Sequence, residues 1–401
     1  MATDWKQKEK DYYMFCVRRQ PIVIVRGYGS RVWDDEGKEY LDFTSGWAVN
    51  NIGHSNPAVA DAVAEQARKL VQTSNQFYTI PQLQLAELLV ENSCLDKIFI
   101  SNSGTEANEG AIKLARKYGK LHRNGAYEVI TAWNSFHGRT IAMTAATGKP
   151  HDDDPSQPLP SGFINVDYDN INAIKTATTD RTVAVMLEPV QGEGGVNVPA
   201  SDYFKKVRQW CDDKGLLLIM DEVQTGMGRL GTLFGYESFG VEPDVITLAK
   251  ALGGGVPIGA FLAKDSAAVF EPKGEHGSTF GGNALTCAAA YASAKYILDN
   301  DVPANAREMG KYLERGLNAL SARHEFIKGV RGMGLLWAME FHSDMAPSVY
   351  PACNSEGILL GLIGPNAVRF MPSLTINKAE IDEGLDKLER GLVKAMDEAE
   401  R

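Results

Sequence analysis

Short apolar runs, each bounded by polar or glycine-rich residues, recur through the middle of the chain, with helical periodicity at 106–118 and 201–214 between them. Uninterrupted runs of Val, Ile and Leu that alternate with helices are typical of a mostly parallel sheet covered on both faces. The pattern therefore predicts a central α/β domain. Its predicted strands are 98–100, 127–131, 183–187, 216–220, 245–248 and 260–263.

Both ends of the chain show a different pattern, in which short strands and turns near the N-terminus predict antiparallel hairpins and the C-terminal part alternates helices with strands. We therefore predict a large α/β domain at 56–289 and a smaller α+β domain assembled from 1–55 and 290–401. The predicted strands are 22–25, 31–34, 40–43, 335–341 and 368–371, with turns at 27–30 and 35–38 and helices at 304–323 and 378–398.

The composition narrows the classes of function. The 401 residues include 41 Lys+Arg and 51 Asp+Glu, which gives a formal charge of −10, and 44% of them are hydrophobic. These proportions are typical of a soluble globular protein, and the acidic balance argues against a nucleic-acid partner and against binding to an anionic membrane. No apolar run approaches the ~20 residues that a membrane-spanning helix needs.

Location and metal binding follow from similar arguments. The first ten residues mix charges and lack an apolar segment, so we expect no secretory or transit leader. Five cysteines without a C-x-x-C spacing predict ordinary thiols in a reducing cytoplasm rather than disulfides or a zinc site. His151 stands beside Asp152, Asp153 and Asp154, but consecutive side chains diverge, which predicts a solvated loop and no metal site.

Polar groups follow the predicted strands at one position after another. In open α/β sheets, ligands bind beyond the carboxyl ends of the strands, so the residues there are candidates for a site. Five of the runs are followed by groups of complementary chemistry, namely hydroxyls, an imidazole, an arginine, carboxylates, amides and a lysine. These segments are 101–106, 135–140, 188–194, 221–226 and 249–254.

The segment Ser103-Gly104-Thr105-Glu106 has the pattern of a capping box, with Ser at the N-cap and Glu three residues later. Gly104 lets an anion approach the backbone N–H groups at the start of the helix, where the helix dipole favours negative charge. By itself the pattern indicates only a capped helix. Together with the other four segments, it predicts a phosphate site.

Asp221 and Lys250 each follow a strongly apolar run. A carboxylate in that position is costly unless it meets a cation, and a lysine that is partly desolvated becomes a usable nucleophile. Each residue taken alone is an ordinary member of an ion pair. A ligand with a protonated pyridine nitrogen, an aldehyde and a phosphate would explain Asp221, Lys250 and the helix start together, and that ligand is pyridoxal phosphate.

With these residues assembled, the chain resembles the class-III (ω-amino) aminotransferases of the fold-type-I pyridoxal-phosphate group, and among them most resembles the acetylornithine aminotransferases. The resemblance extends from residue 26 to residue 374 and implies the fold of that group. It rests on Ser-Gly-Thr-Glu-Ala-Asn at 103–108, Phe-His-Gly-Arg-Thr at 136–140, Glu-Pro-Val-Gln-Gly-Glu at 188–193, Asp-Glu-Val-Gln-Thr-Gly at 221–226 and Lys250.

The resemblance implies a role at the cofactor for each matching residue. Lys250 would bind the aldehyde and move the proton of the reaction, and Asp221 would keep the pyridine nitrogen protonated. Thr279 would complete the phosphate site of a partner subunit, which implies a homodimer; without the resemblance, Ser278 and Thr279 indicate only a turn. The other cofactor residues are Ser103, Gly104 and Thr105 at the phosphate, Phe136 and Val223 at the ring faces, and Gln224 at the phenolic oxygen.

On the substrate side, the resemblance implies Arg139, Glu193, Ser278 and Arg369. Arg139 would hold the α-carboxylate of the amino donor, and Arg369 that of 2-oxoglutarate. Glu193 would pair with Arg369 while an ω-amine is bound and move away for the oxo acid, although a static ion pair is the alternative. The implied reaction transfers the terminal amine of N2-acetyl-L-ornithine to 2-oxoglutarate, as in arginine biosynthesis.

Other donors and other classes of protein stay open. Val17 stands where ornithine aminotransferases carry a tyrosine, which favours an acylated donor, and Trp47 either narrows the pocket or packs between the domains as a core aromatic. The alternative donors are ornithine, succinylornithine, succinyldiaminopimelate and 4-aminobutyrate. Glutamate-1-semialdehyde aminomutase, an isomerase, shares the fold and the cofactor residues. The segment 226–231 matches G-x-G-x-x-G, but it follows its strand too late and no helix is predicted after it, so it is a weak signal for a nicotinamide cofactor.

Overall fold

The computed structural model describes residues 3–150 and 153–399, and a seven-stranded sheet, the central sheet, forms its middle. Gly259–Ala263 is antiparallel to both of its neighbours and the remaining pairs are parallel, so the prediction of a mostly parallel sheet is confirmed. All the other strands therefore point the same way and end at one edge. In spatial order, the strands are Lys97–Ser101, Gly259–Ala263, Val245–Leu248, Leu217–Asp221, Thr182–Leu187, Glu128–Ala132 and Phe163–Val166.

Apolar side chains on both faces of the central sheet are covered by helices. Val185 and Met186 are adjacent in one strand and fully buried, yet they belong to different core clusters, because neighbouring side chains of a strand point to opposite faces. Each predicted strand overlaps an observed one, whereas Phe163–Val166, a half-buried strand at the edge of the sheet, was not predicted. The helices of this part are Pro57–Lys69, Ile80–Glu91, Gly104–His122, Ile141–Ala146, Ile171–Ala177, Tyr203–Lys214 and Ala284–Asp299, with short 3-10 helices at Gly235–Phe239 and Lys250–Gly253.

Two four-stranded sheets are formed by the ends of the chain. In the N-terminal sheet, two antiparallel hairpins are extended by Ile358–Leu359, which pairs in parallel with Glu39–Asp42 and so joins the two ends of the chain. The C-terminal sheet is antiparallel throughout. The domain limits at 55/56 and 289/290 stay predictions. The strands are Ile24–Tyr28, Arg31–Asp34, Glu39–Asp42 and Ile358–Leu359 in the first sheet and Ile327–Met333, Leu336–Phe341, Ala367–Phe370 and Gly361–Ile363 in the second, and the helices are Trp5–Tyr12, Val302–Arg323, Ala346–Ser355 and Lys378–Ala399.

A left-handed turn at 45–48 carries Trp47. The φ angle is positive at all four residues, and such backbone costs roughly 1–2 kcal/mol for each residue other than glycine. Asp42 stabilises the turn by accepting a hydrogen bond from Ser45 N at 3.0 Å, and it also pairs with His54 at 2.7 Å. Trp47 is 56% exposed, so the interpretation of this residue as a core aromatic is wrong.

Within the described ranges, no helix is both long and apolar enough to cross a membrane, and no three side chains are grouped so that they could hold a metal ion. The polar loop at 149–162 contains the cis peptide bond Gln157–Pro158. His151 and Asp152 lie outside the described residues, so the interpretation of that loop as solvated and free of metal stays a prediction.

Candidate active site

A cavity of about 490 Å³ opens at the carboxyl-terminal edge of the central sheet. Its wall is formed by segments that follow five strands, as the position of ligands in open α/β sheets predicts. The structure thereby brings together ten of the predicted site residues. They are Ser103, Gly104, Thr105, Phe136, Arg139, Glu193, Asp221, Val223, Gln224 and Lys250.

The helix Gly104–His122 begins at the cavity. Ser103 Oγ accepts a hydrogen bond from Glu106 N at 3.3 Å, as predicted, but the Glu106 carboxylate accepts from Asn102 N at 2.6 Å and not from the N-cap residue. A Cβ atom at Gly104 would lie 2.9 Å from Val223, so glycine lets the start of the helix approach this wall. The free amides and the dipole of a helix start favour a bound phosphate.

Asp221 lines the cavity and belongs to a hydrogen-bond network. One carboxylate oxygen accepts from His137 Nδ1 at 2.7 Å and from Asn108 Nδ2 at 2.8 Å, and the other accepts from Val223 N at 3.0 Å. Asn108 also donates to His137 O at 2.7 Å, and the His137 side chain is fully buried. The carboxylate is therefore fixed in position and available as an acceptor for a positive N–H group in the cavity.

His137 and Asn108 had no predicted role. They stand in the motifs at 136–140 and 103–108, but they are 84 and 113 positions away from Asp221, and such distances give no local signal of contact with it. Glu188 was missed in the same way. It lines the cavity, and one of its carboxylate oxygens accepts from Phe136 N at 3.2 Å. Burial and the nearby charge of Asp221 raise the pKa of Glu188 well above its usual range, which favours its protonated form.

Lys250 extends from the end of Val245–Leu248 into the cavity. Its φ angle of 44° lies in the left-handed region, where a residue other than glycine is strained, and such strain is common at functional sites. Burial and the positive charge of Arg369 lower the pKa of Lys250, while Glu193 opposes the change. No carboxylate in the described part of the chain lies within 4 Å of its amine, so the amine is free to react.

Glu193 and Arg369 form an ion pair at 2.8 Å, in which the arginine side chain is only 1% exposed. Gln224 contacts both partners, since it donates to Glu193 Oε1 at 3.3 Å and accepts from Arg369 Nη1 at 3.4 Å. Burial alone would raise the pKa of Glu193, but the charges of Arg369 and Lys250 outweigh it and the pKa is lowered. The carboxylate therefore covers a buried cation beside the cavity.

Arg139 differs from Arg369 in its surroundings. It is exposed, its guanidinium lies 5.3 Å from the centre of the Phe136 ring, and it has no ion-pair partner among the residues that the structure describes. A planar fork of N–H donors without a partner suits the carboxylate of a substrate.

Ser278 and Thr279 do not line this cavity within a single chain. Ser278 Oγ accepts from Asn102 Nδ2 at 3.0 Å, and Asn75 Nδ2 donates to Ser278 O at 2.9 Å. Thr279 lies next to this contact with its side chain exposed. The predicted phosphate contact of Thr279 therefore requires a second subunit.

The residues of the cavity fit pyridoxal phosphate. Asp221 supplies the fixed acceptor for a protonated pyridine nitrogen, Lys250 supplies an unpaired amine for the aldehyde, and the helix start at Gly104 and Thr105 supplies an anion site. Val223 and Phe136, which both line the cavity, offer a branched and an aromatic surface for the ring.

Comparisons with known proteins agree with this chemistry. The family model Aminotransferase class-III matches residues 14–392. The chain is 48% identical to an acetylornithine aminotransferase of Methanocaldococcus jannaschii over 98% of this chain and 97% of the relative. Among solved structures, an ornithine aminotransferase from Toxoplasma gondii superposes with a TM-score of 0.95 at 33% identity, covering 99% of this chain and 97% of that one. An N-acetylornithine aminotransferase from Stenotrophomonas maltophilia gives 0.85 at 36% identity, covering 98% and 100%. The chain therefore belongs to the class-III aminotransferases, whose cofactor is pyridoxal phosphate.

Proposed function

We propose that the chain transfers the terminal amine of N2-acetyl-L-ornithine to 2-oxoglutarate, which gives N-acetylglutamate 5-semialdehyde and glutamate. The observation that carries the proposal is the Glu193–Arg369 pair beside a cavity that also contains Arg139 and Lys250. This arrangement suits two substrates of different charge in one pocket. Relatives that are 43–48% identical and named acetylornithine aminotransferase support the choice of donor.

The chemistry is divided between the cofactor and the chain. When bound, pyridoxal phosphate supplies an electron sink for the negative charge that develops on the substrate carbon. Asp221, held by His137 and Asn108, would keep the hydrogen on the pyridine nitrogen. Gln224, whose amide donates to Glu193 in the structure, would donate to the phenolic oxygen once the cofactor is bound. Lys250, whose pKa is lowered, would take a proton from the substrate carbon and deliver it to the carbon of the cofactor that carried the aldehyde.

The two substrates use the arginines differently. Arg139 binds the carboxylate of the donor, and Glu193 neutralises Arg369 meanwhile, so that the second cation does not attract a carboxylate where the ω-carbon must react. When 2-oxoglutarate enters, its α-carboxylate takes the place of Glu193 on Arg369 and its second carboxylate is left for Arg139. A charge-assisted hydrogen bond of this kind is worth about 1.5–3 kcal/mol.

A panel of donors tests the proposal. The purified, cofactor-loaded chain is assayed with 2-oxoglutarate and either acetylornithine, ornithine, succinylornithine or 4-aminobutyrate, and glutamate formation is measured. We expect acetylornithine to give the highest kcat/KM. A higher value for ornithine would overturn the choice of donor, and isomerisation of glutamate-1-semialdehyde without an oxo acid would identify an aminomutase instead.

The chain also forms a homodimer in this proposal, in which Ser278 and Thr279 complete the site of the partner subunit. Asn75 donates to Ser278 O at 2.9 Å and to Gly281 O at 2.8 Å, so the two segments 75–80 and 278–281 form one surface. That surface exposes large apolar side chains, which is typical of a protein–protein contact. They are Phe77, Tyr78, Ile80 and Phe280.

The dimer is tested by measuring mass in solution. Phe280→Asp puts a charge on the apolar surface, so we expect a dimer for the wild type and a shift toward monomer for this variant, with weaker cofactor binding because Thr279 is removed from the partner's site. Leu121→Asp is the control, since Leu121 is also exposed but lies at the other end of the helix that begins at the cavity. A monomeric wild type with full activity would contradict the proposal.

We place the reaction in the cytoplasm and in arginine biosynthesis. The five cysteines Cys16, Cys94, Cys211, Cys287 and Cys353 are all free thiols in the structure, and unpaired thiols are typical of a reducing compartment. Fractionation of cells that produce the chain tests the location. Deletion of the gene that encodes the chain tests the pathway, since we expect the cells then to require arginine for growth.

A further inference from the structure

The G-x-G-x-x-G segment at 226–231 lies between two strands of the central sheet, Leu217–Asp221 and Val245–Leu248, and contacts the C-terminal sheet. Gly228 and Gly231 have φ angles of +96° and +94°, which only glycine adopts easily, and no α-helix follows before residue 284. The segment is therefore not a nucleotide-binding turn. Its glycines allow a tight loop that carries Arg229, whose side chain is completely buried.

Arg229 holds three parts of the chain together. Its Nη1 donates to Leu335 O at 2.9 Å and to Pro372 O at 2.7 Å, and its Nη2 donates to Asn51 Oδ1. Leu335 N donates back to Arg229 O at 3.0 Å, and Asn51 Nδ2 donates to Met227 O at 3.0 Å. Among the described residues, no carboxylate lies within 4 Å of this guanidinium.

These contacts lie at the ends of the strand that contains Arg369 and of the strand paired with it. Leu335 immediately precedes the strand Leu336–Phe341, and Pro372 follows the strand Ala367–Phe370 by two residues. The strands are paired, with Ala338 opposite Arg369. One guanidinium therefore fixes both strands at the same end, and the nearer of its two carbonyls is three residues from Arg369.

A second contact joins the same loop to Arg369. Gln224, five residues before Arg229, accepts from Arg369 Nη1 at 3.4 Å. The segment 224–229 therefore contacts this strand twice, once at the arginine side chain and once at the backbone beyond it. A shift of the loop against the strand would change the distance between Arg369 and the cavity.

Burial of a cationic side chain costs free energy, because the charge loses its contact with water. Burial lowers the pKa of Arg229 to about 9, so it stays charged at neutral pH, and only polar acceptors offset the cost of its desolvation. An apolar side chain would pack there at less cost, whereas the fixed fork of a guanidinium can hold several carbonyls in one geometry. The arrangement thus favours a positioning role over a packing role.

We infer that Arg229 is a positioning residue, which holds the strand of Arg369 so that Arg369 meets the carboxylate of the amino acceptor. This inference rests on the proposed function, in which Arg369 binds 2-oxoglutarate. It concerns one half of the reaction, because the donor carboxylate is held by Arg139, on a loop that Arg229 does not contact.

The test separates the two half-reactions. Arg229→Gln removes both the charge and the planar set of guanidinium donors, whereas Arg229→Lys keeps only the charge. Arg307→Gln is the matched control, because the exposed Arg307 donates to Gly231 O of the same loop without contacting the strand of Arg369. Each half-reaction is followed by cofactor absorbance in single turnovers. Binding of glutarate, a dicarboxylate without a carbonyl to react, is titrated separately.

For Arg229→Gln we expect kcat/KM of the 2-oxoglutarate half-reaction to fall by about 10-fold or more and the Kd of glutarate to rise by a similar factor. The donor half-reaction should stay within about 3-fold, Arg229→Lys should be intermediate, and Arg307→Gln should match the wild type. If Arg229→Gln is insoluble, Arg229→Lys tests the inference instead: its 2-oxoglutarate half-reaction should be slowed more than its donor half-reaction.

Two results would overturn the inference: equal loss of both half-reactions, which would indicate a general structural role, or an unchanged affinity for glutarate. Failure of the proposed function is a different result, since the wild type would then transfer no amine to 2-oxoglutarate. Glutarate affinity in the Arg229 variants still tests the position of Arg369 in that case.

Discussion

The two arginines beside the cavity differ in almost every physical respect. Arg139 is exposed, lies in a loop after Glu128–Ala132, and has no ion-pair partner among the described residues. Arg369 is buried within a strand of the C-terminal sheet, is paired with Glu193, and contacts Gln224. A carboxylate could approach Arg139 directly, whereas Glu193 would first have to leave Arg369.

In the proposed function, this difference would allow one pocket to take two substrates in turn. A donor with a single carboxylate needs only the open arginine, and its amine must approach Lys250 without a competing cation nearby. An oxo acid with two carboxylates gains from both arginines and can displace Glu193. Because Glu193 is half-buried and Arg369 is not accessible, we expect the pair to open by movement of the glutamate.

The largest effect on activity is expected at Lys250, which is shared by both substrates and does not depend on the difference between the two arginines. In the proposed function Lys250 moves the proton for both substrates, so in Lys250→Ala both half-reactions should fall by about 1000-fold or more, and to the same extent. Single-turnover absorbance measures each half-reaction. Lys264→Ala is the control, since Lys264 pairs with Glu242 on the surface. Retained multiple turnover would show that Lys250 has been assigned wrongly.

Arg369→Gln should affect one substrate and spare the other. It removes the cation that the α-carboxylate of 2-oxoglutarate would meet, and truncation of one partner of a buried charge pair costs about 2–5 kcal/mol. The substrate carboxylate would take the position of Glu193, where about a third of the side chain is exposed, so we expect the lower end, or roughly a 30-fold loss in kcat/KM for 2-oxoglutarate. The donor half-reaction should change much less. Lys328→Gln, which breaks a surface pair with Glu340 in the same sheet, should change neither. An equal loss for both substrates would remove the distinction between the two arginines.

The sequence predicted the central sheet and ten residues of the cavity wall for one physical reason: uninterrupted apolar runs mark buried strands, and ligands bind where such strands end. It did not predict the partners of Asp221, because His137 and Asn108 reach it across the fold. It also did not predict the left-handed turn at 45–48, whose backbone is stabilised by the Asp42 side chain and not by local preference.

The Glu193–Arg369 pair shows another limit of the sequence. The two residues are 176 positions apart, and only a resemblance to known aminotransferases suggested that they meet. The role of Arg229 was missed for a related reason, because its acceptors are backbone carbonyls, which any residue supplies. Side-chain chemistry at strand ends can be predicted from sequence, whereas backbone acceptors from distant segments cannot.

Arg139→Ala should have a smaller effect than Arg369→Gln, because Arg139 is solvated before substrate binds. Loss of one charge-assisted contact costs about 1.5 kcal/mol, so we expect KM for acetylornithine to rise by roughly 10-fold. KM for 2-oxoglutarate should rise as well, since its second carboxylate loses a partner. Arg181→Ala is the control, as Arg181 is also exposed and pairs with Glu128 at the far end of the same strand. If the donor's KM does not change, its carboxylate is held elsewhere.

The smallest effect concerns stability against pH. The pKa of Glu193 is lowered, so the ionised carboxylate stabilises the folded state above the pKa of an unfolded glutamate, about 4.3, and this contribution is lost as the pH falls through the lower folded value. The difference in free energy of unfolding between the wild type and Glu193→Gln should therefore be largest near neutral pH and shrink below about pH 4. Urea unfolding at several pH values measures this difference.

Glu65→Gln is the control, because the Glu65–Lys69 pair is exposed and screened by solvent. The contribution of that pair to stability should fade with added salt, while the contribution of the half-buried Glu193 should persist. A difference that does not vary with pH would mean that Glu193 does not neutralise Arg369 in the folded protein, and both arginines would then be open to any carboxylate.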